Sequence, residues 1–99
     1  MARQVTKEII KAFLNDTAKR MGNSEVHTDF ISTRLYLFNN CIAIKKKDSG
    51  KIEVSMAGYP TTTTRERLNG IPNCRVWQAK GIQYLNGVAI DTDKFYAIN

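Results

Sequence analysis

Apolar residues fall along this chain in two rhythms, and the change from one to the other marks the predicted elements. Ile9, Ile10, Phe13, Leu14, Ala18 and Met21 recur at spacings of three and four, which gives a helix one buried face. Thr6 stands before the run as a cap and Gly22 ends it, so a helix is expected over about residues 6–21. Lys7, Lys11, Lys19 and Arg20 fall mostly off the stripe and read as a solvated basic edge. Residues 23–31 mix polar turn formers with Val26, Phe30 and Ile31, a pattern that fits either a loop or a short irregular strand.

From Arg34 to Met56 the period becomes two. Leu35 and Leu37, then Ile42 and Ile44, then Ile52, Val54 and Met56 alternate with other residues around Asn39-Asn40 and Asp48-Ser49-Gly50, which predicts a three-stranded meander. A two-residue turn at Asn39-Asn40 pairs Leu37 with Ile42 and Leu35 with Ile44. A three-residue loop ending in a left-handed Gly50 pairs Lys47 with Lys51, Ile44 with Val54 and Ile42 with Met56. The opposite face then holds Arg34, Tyr36, Phe38, Cys41, Ala43, Lys45, Glu53 and Ser55, with Arg34 directly across from Lys45. Like charges so placed need solvent, a carboxylate or a bound anion to relieve them. That face reads as a wetted sheet surface, with a shallow anion site as its functional alternative.

In the stretch Ala57 to Pro72, Thr62 or Thr63 caps a short helix, Glu66 completes a capping box with Thr63, and Asn69-Gly70 before Pro72 ends it. Cys74 to Lys80 returns to strand chemistry, Gly81 breaks it, residues 83–90 form a hairpin about Asn86-Gly87, and Phe95 to Ile98 make a last short strand. The fold class expected is α+β. An N-terminal helix packs on an antiparallel sheet of about five or six short strands, with a helix at about 63–70 inserted, in one domain over residues 1–99.

Composition narrows the function more by exclusion than by indication. Hydrophobic residues make up 42% of the chain and are spread along it, as in a folded domain. No apolar run approaches a membrane span or a signal-peptide core, so an intracellular protein is expected, without membrane partners. Cys41 and Cys74 lie 33 positions apart and form no CxxC pair, and reduced thiols with packing roles are expected. His27 is the single histidine and has no partners at ligand spacing, while Asp91 and Asp93 lack the rest of a calcium loop and read as turn residues. Neither a catalytic residue, a metal site nor a cofactor is expected. The formal charge of +6 favours polyanionic partners.

Chemistry converges at Thr61 to Arg67. A helix N-terminus, threonine hydroxyls and two guanidinium forks suit phosphate oxygens, with a capped helix and solvated arginines as the plain structural alternative. The candidate phosphate or nucleic-acid residues are Thr62, Thr63, Thr64, Arg65 and Arg67, with Arg34, Lys45 and Tyr59 added from nearby segments. Tyr59, Tyr36, Phe38 and Trp77 are candidate stacking surfaces for unpaired bases. Trp77 shares its parity with Arg75 and Ala79, which leaves its direction open, and a core role is the reading adopted.

The strand Leu35 to Phe38, the run Ala57 to Asn69 and the hairpin Tyr84 to Gly87 resemble those of small accessory proteins of tailed bacteriophages. The motif in common is Ala-Gly-aromatic-x-Thr-x-Thr-Thr-x-x-Arg-Leu-Asn, and the resemblance covers roughly residues 34–90. Tyr59 stands where such proteins often have tryptophan, keeping a ring but losing the indole N–H. The resemblance implies a phage product acting in bacterial cytoplasm and carries no shared activity. Two functions are expected from these features: noncatalytic binding of nucleic acid, DNA or RNA, at the Thr/Arg helix start, or docking on an acidic host protein as an inhibitor or anti-defence factor. Sequestration of a small phosphorylated signal at the same run is a third.

Overall fold

The computed structural model describes residues 3–98. Helix α1 (Gln4–Leu14) is followed by strands β1 (Lys19–Met21), β2 (Ser24–Thr28), β3 (Ser32–Leu37), β4 (Asn40–Lys46) and β5 (Ile52–Val54). Helix α2 (Thr62–Leu68) then precedes β6 (Val76–Ala79), β7 (Ile82–Leu85), β8 (Val88–Ile90) and β9 (Tyr96–Ala97). The expected α+β class is found, with the strands in two antiparallel sheets: six in the order β1-β2-β3-β4-β5-β9, and three in the order β6-β7-β8. Among the described residues, no helix is long and apolar enough to cross a membrane.

The first helix is shorter than its apolar spacing predicts. Asn15, Asp16 and Thr17 prefer caps and turns to helix interiors. Asp16 takes a left-handed φ of 54°, and Thr17 N–H donates to Ala12 O at 2.9 Å in a Schellman stop. Lys19 to Met21 then form an edge strand, so the match of Ala18 and Met21 to the helical stripe is coincidental. Arg3, not Thr6, is the N-cap residue; Thr6 lies inside the helix and is buried. Residues 24–28 resolve the ambiguity of the 23–31 segment as β2, paired with β3 from Ser24–Leu37 to Thr28–Thr33.

The β3–β4 hairpin corrects the predicted register. Its turn residues are Phe38 and Asn39, both at positive φ, so Leu37 faces Asn40 and Tyr36 faces Cys41. Pairing then shifts by one, with Leu35 against Ala43 and Thr33 against Lys45, leaving Ile42 as an extra bulged residue. The bulge puts Ala43 and Lys45 on the helix side and Ile44 on the outer side. Arg34 therefore faces Ile44, and the predicted Arg34–Lys45 opposition does not exist. Downstream, Val54 pairs with Ala43, not Ile44, and the loop closes between Lys46 and Lys51 with Gly50 left-handed as expected.

Both helices pack on the inner face of the larger sheet. Ile9, Ile10 and Phe13 of α1 join Val26, Leu35, Ala43 and Val54 beneath it, together with Leu68, Ile71, Val76 and Leu85 from the second half of the chain, in one buried cluster. Gly70 serves this packing and not the left-handed stop expected of it: a Cβ there would lie 2.7 Å from Thr6 Cγ2 and 3.0 Å from Ile10 Cγ1. Gly70→Ala is expected to cost about 2 kcal/mol through overpacking, read as a lower urea midpoint. Adding Thr6→Ser, which removes the nearer methyl but keeps the hydroxyl, should recover part of the loss.

Candidate nucleic-acid interface

The Thr/Arg run folds into a seven-residue helix whose polar groups turn mostly inward. Thr61, one residue before the predicted caps Thr62 and Thr63, is the N-cap: its Oγ1 accepts from Thr64 N–H at 3.2 Å. Thr64 is buried and its hydroxyl bonds to that of Thr61 at 3.0 Å. Thr62 is exposed and Thr63 half-buried. The Arg65 guanidinium, half-buried, donates to Pro60 O at 3.0 Å, Gln78 Oε1 at 3.1 Å, Gln83 Oε1 at 3.0 Å and Thr62 Oγ1 at 3.4 Å. It ties α2 to the smaller sheet.

Arg67 departs furthest from the sequence expectation. It is 3% exposed, its Nε donates to Ser24 Oγ at 3.0 Å and its Nη1 to Thr6 Oγ1 at 2.7 Å, and it ion-pairs with Glu66. Glu66 also accepts from the Thr6 hydroxyl and from Arg3 N–H, so it works as the anchor of this network and not in a capping box. Burial alone would raise the Glu66 carboxyl. The hydrogen bonds from Thr6 and Arg3 and the Arg67 charge outweigh it and hold the group below its ordinary 4.5. Arg67 is turned inward and is not presented as a phosphate fork, whereas the half-buried Arg65 lines an open recess with Thr62, Trp77 and Gln78, so the structure brings only part of the expected Thr/Arg set together at the surface.

Arg67→Ala is expected to lower stability by about 3 kcal/mol, because it strands a mostly buried carboxylate, as measured by denaturant unfolding at neutral pH. The depressed Glu66 carboxyl contributes stability that is fully present above its unfolded value and is lost as pH falls through its folded value. An acid titration of Tm should therefore decline below about pH 4.5, and Glu66→Gln should flatten that decline.

Of the remaining candidates, Lys45 is half-buried and engaged within the fold: its Nζ donates to Leu14 O, at the end of α1, at 2.6 Å and lies 3.5 Å from Asp16 Oδ1. It caps the helix C-terminus, where a cation is favoured. Arg34 is exposed on the outer sheet face, flanked by His27 across the β2 pairing, and His27 meets the Tyr36 ring edge-on at 5.0 Å. Tyr59 is exposed. Trp77, read as core, lies at the surface stacked on Tyr84 at 5.6 Å. Asp91 pairs with Lys94 at 3.1 Å within the last turn.

Sequence reasoning passed over one cluster. Lys7 and Lys11 on α1 and Lys19 on β1 line a single groove of about 490 Å³ with Asn15 and Thr17. All three lysines are exposed, and among the described residues none forms an ion pair. The one carboxylate in the groove, Glu8, accepts from Gln4 Nε2 at 3.3 Å. The signal was the basic edge of the predicted helix. Its meaning was hidden because Lys19 was assigned to the helix and not to a strand folded back beside it.

Both thiols have a packing environment. Cys41 is half-buried with its Sγ 3.6 Å from Ala43 O, and burial raises its thiol; burial pushes Cys74 up to about 12. A thiol-reactive dye at mildly alkaline pH should leave Cys74 unlabelled in the native protein and label it on unfolding. Rapid native labelling of Cys74 would contradict this packing.

The family model described as Kyanoviridae Gp96 protein matches residues 2–98. No curated protein and no solved structure matches the chain.

Proposed function

The chain belongs to the Kyanoviridae Gp96 protein family of bacteriophage proteins, and from that premise we propose that it is a noncatalytic nucleic-acid-binding protein. In this reading the sugar-phosphate backbone lies in the α1–β1 groove, held by Lys7, Lys11 and Lys19, with Arg20 and Arg34 extending the positive surface over the outer sheet face. The observation that carries it is the convergence in one groove of three exposed lysines, none in an ion pair among the described residues, in a chain with a net charge of +6. Lysines are mobile point charges that follow a backbone without fixing its sequence. Direction of charge, not a preformed fork, is what the groove supplies.

A second reading, docking on an acidic host protein, is favoured by the β2–β3 hairpin tip. Phe30 and Ile31 are exposed there, and Lys47 N–H donates to Ile31 O at 3.0 Å, which brings a basic run beside two apolar side chains. Affinity through such a tip would combine apolar anchors with charge pairing to the acidic face, so it is the tip variant and not salt alone that identifies it.

The two readings separate in one titration. The variant Lys7→Ala/Lys11→Ala/Lys19→Ala should bind single-stranded DNA or RNA more weakly, and the slope of log K against log salt should fall by about 2, near 0.7 per lost phosphate contact. Its Tm should stay close to the parent's, since exposed side chains away from packing rarely matter to stability. An unchanged slope, or no binding by the parent at low salt, would rule out the groove. Loss of a host-protein complex on Phe30→Ser with the triple variant still active would establish the second reading instead.

A further inference from the structure

A second recess lies at the start of α2, between the β3–β4 turn and the segment that leads into the helix. Its volume is about 360 Å³, within the range of about 300–1,000 Å³ usual for small-ligand sites. Leu37, Ile42 and Met56 form a buried apolar floor, and Phe38 and Tyr59 line it while remaining 61% and 59% exposed. Among the described residues, no charged side chain lines it. The recess therefore suits the planar, uncharged part of a ligand and not its phosphate.

Backbone strain marks the same place. Phe38 and Ala57 both line the recess and both have positive φ, 50° and 53°. A bulky aromatic residue rarely occupies that region, and a turn with two positive-φ central residues ordinarily takes Asn-Gly. An exposed phenyl ring held in a strained turn contributes little to folding. Such strain is found where a side chain has to be aimed at something. Polar capacity is present too: Asn40 Nδ2 donates to Phe38 O at 3.1 Å, and among the described residues no donor reaches its Oδ1, which leaves an acceptor for a base N–H.

We propose that this recess takes one unstacked nucleobase of a single strand, with Phe38 and Tyr59 as its stacking rings and Asn40 Oδ1 as an acceptor for its N–H edge. The proposal rests on the nucleic-acid reading above and adds to it: the strand is single, and a base, not only phosphate, is gripped. Single-strand binding combines aromatic faces that stack bases with a positively charged groove that tracks the backbone, the two parts assigned here to the recess and the lysines.

The test uses the full chain and three probes: hexathymidylate, an abasic oligonucleotide of equal length, and thymidine. Methyl NMR signals of Ile42 and Met56 are followed in each titration. Hexathymidylate and thymidine should shift them, while the abasic strand should perturb only amides around Lys7, Lys11 and Lys19. Phe38→Asn puts a favoured residue in the turn, so Tm should hold or rise while affinity for hexathymidylate falls about tenfold, toward the abasic value. Equal binding of the base-bearing and abasic strands, silent Ile42 and Met56 methyls, or an unchanged affinity in Phe38→Asn would overturn the proposal while leaving the lysine groove standing. Thymidine in the recess with no binding of the abasic strand would overturn the groove alone. Displacement of none of these probes by one another, with an aromatic peptide shifting the methyls instead, would assign the recess to a protein side chain and also overturn the proposal.

Discussion

Arg67 is the group on which the arrangement of layers depends. From the last turn of α2 it reaches Ser24 on β2 and Thr6 on α1, and it is neutralised by its neighbour Glu66. A buried guanidinium is tolerated only when its donors and its charge are both satisfied. Here satisfaction requires three elements at once, so their relative positions are fixed by one side chain. The close approach of Gly70 to Thr6 and Ile10 follows from the same geometry, because the network draws the end of α2 onto α1.

That constraint also decides which charges are left for partners. Arg67 is consumed inside the fold, and the partly buried Arg65 and Lys45 each tie one element to another. The exposed positive charges include Lys7, Lys11 and Lys19, which share the α1–β1 groove, Arg20 and Arg34 on strands of the larger sheet, and Lys46, Lys47 and Lys51 about the β4–β5 loop. Apolar surface is divided in a similar way. Most of it is in the core, but Phe38 and Tyr59 stand exposed around a recess with a buried floor. The proposed division of labour, with phosphates at lysines and a base at the recess, comes from this partition.

Much of the architecture was legible from periodicity. The alternation at 34–56 and the Asn86-Gly87 turn locate real elements because local backbone preference and burial agree there, and the helix does end at Asn69-Gly70, though by close packing of Gly70 and not by a left-handed glycine. The misses have local causes. The stripe through Ala18 and Met21 overran a Schellman stop at Asp16, since apolar spacing carries no record of where Asn-Asp-Thr ends a helix. The β4 register failed because Phe38 took a turn position that propensity assigns to Asn, and one bulged residue then inverted Ala43, Ile44 and Lys45. For the site, the Thr-Arg composition was visible but its direction was not: whether Arg67 meets Ser24 or solvent depends on a partner 43 residues away. The lysine groove needed β1 to be recognised first.

The central claim is that Arg67 is an internal tie and that anions are met elsewhere on the molecule. The most direct measurement is the side-chain Nε–H resonance of Arg67, with its hydrogen exchange, in the protein alone and saturated with single-stranded DNA. A slowly exchanging Nε–H that does not move on saturation, while Lys7, Lys11 and Lys19 report the strand, is the result this account predicts. Rapid exchange in the unbound protein, or a large shift of that resonance on binding, would contradict it and return the Thr/Arg helix to the role its sequence first suggested.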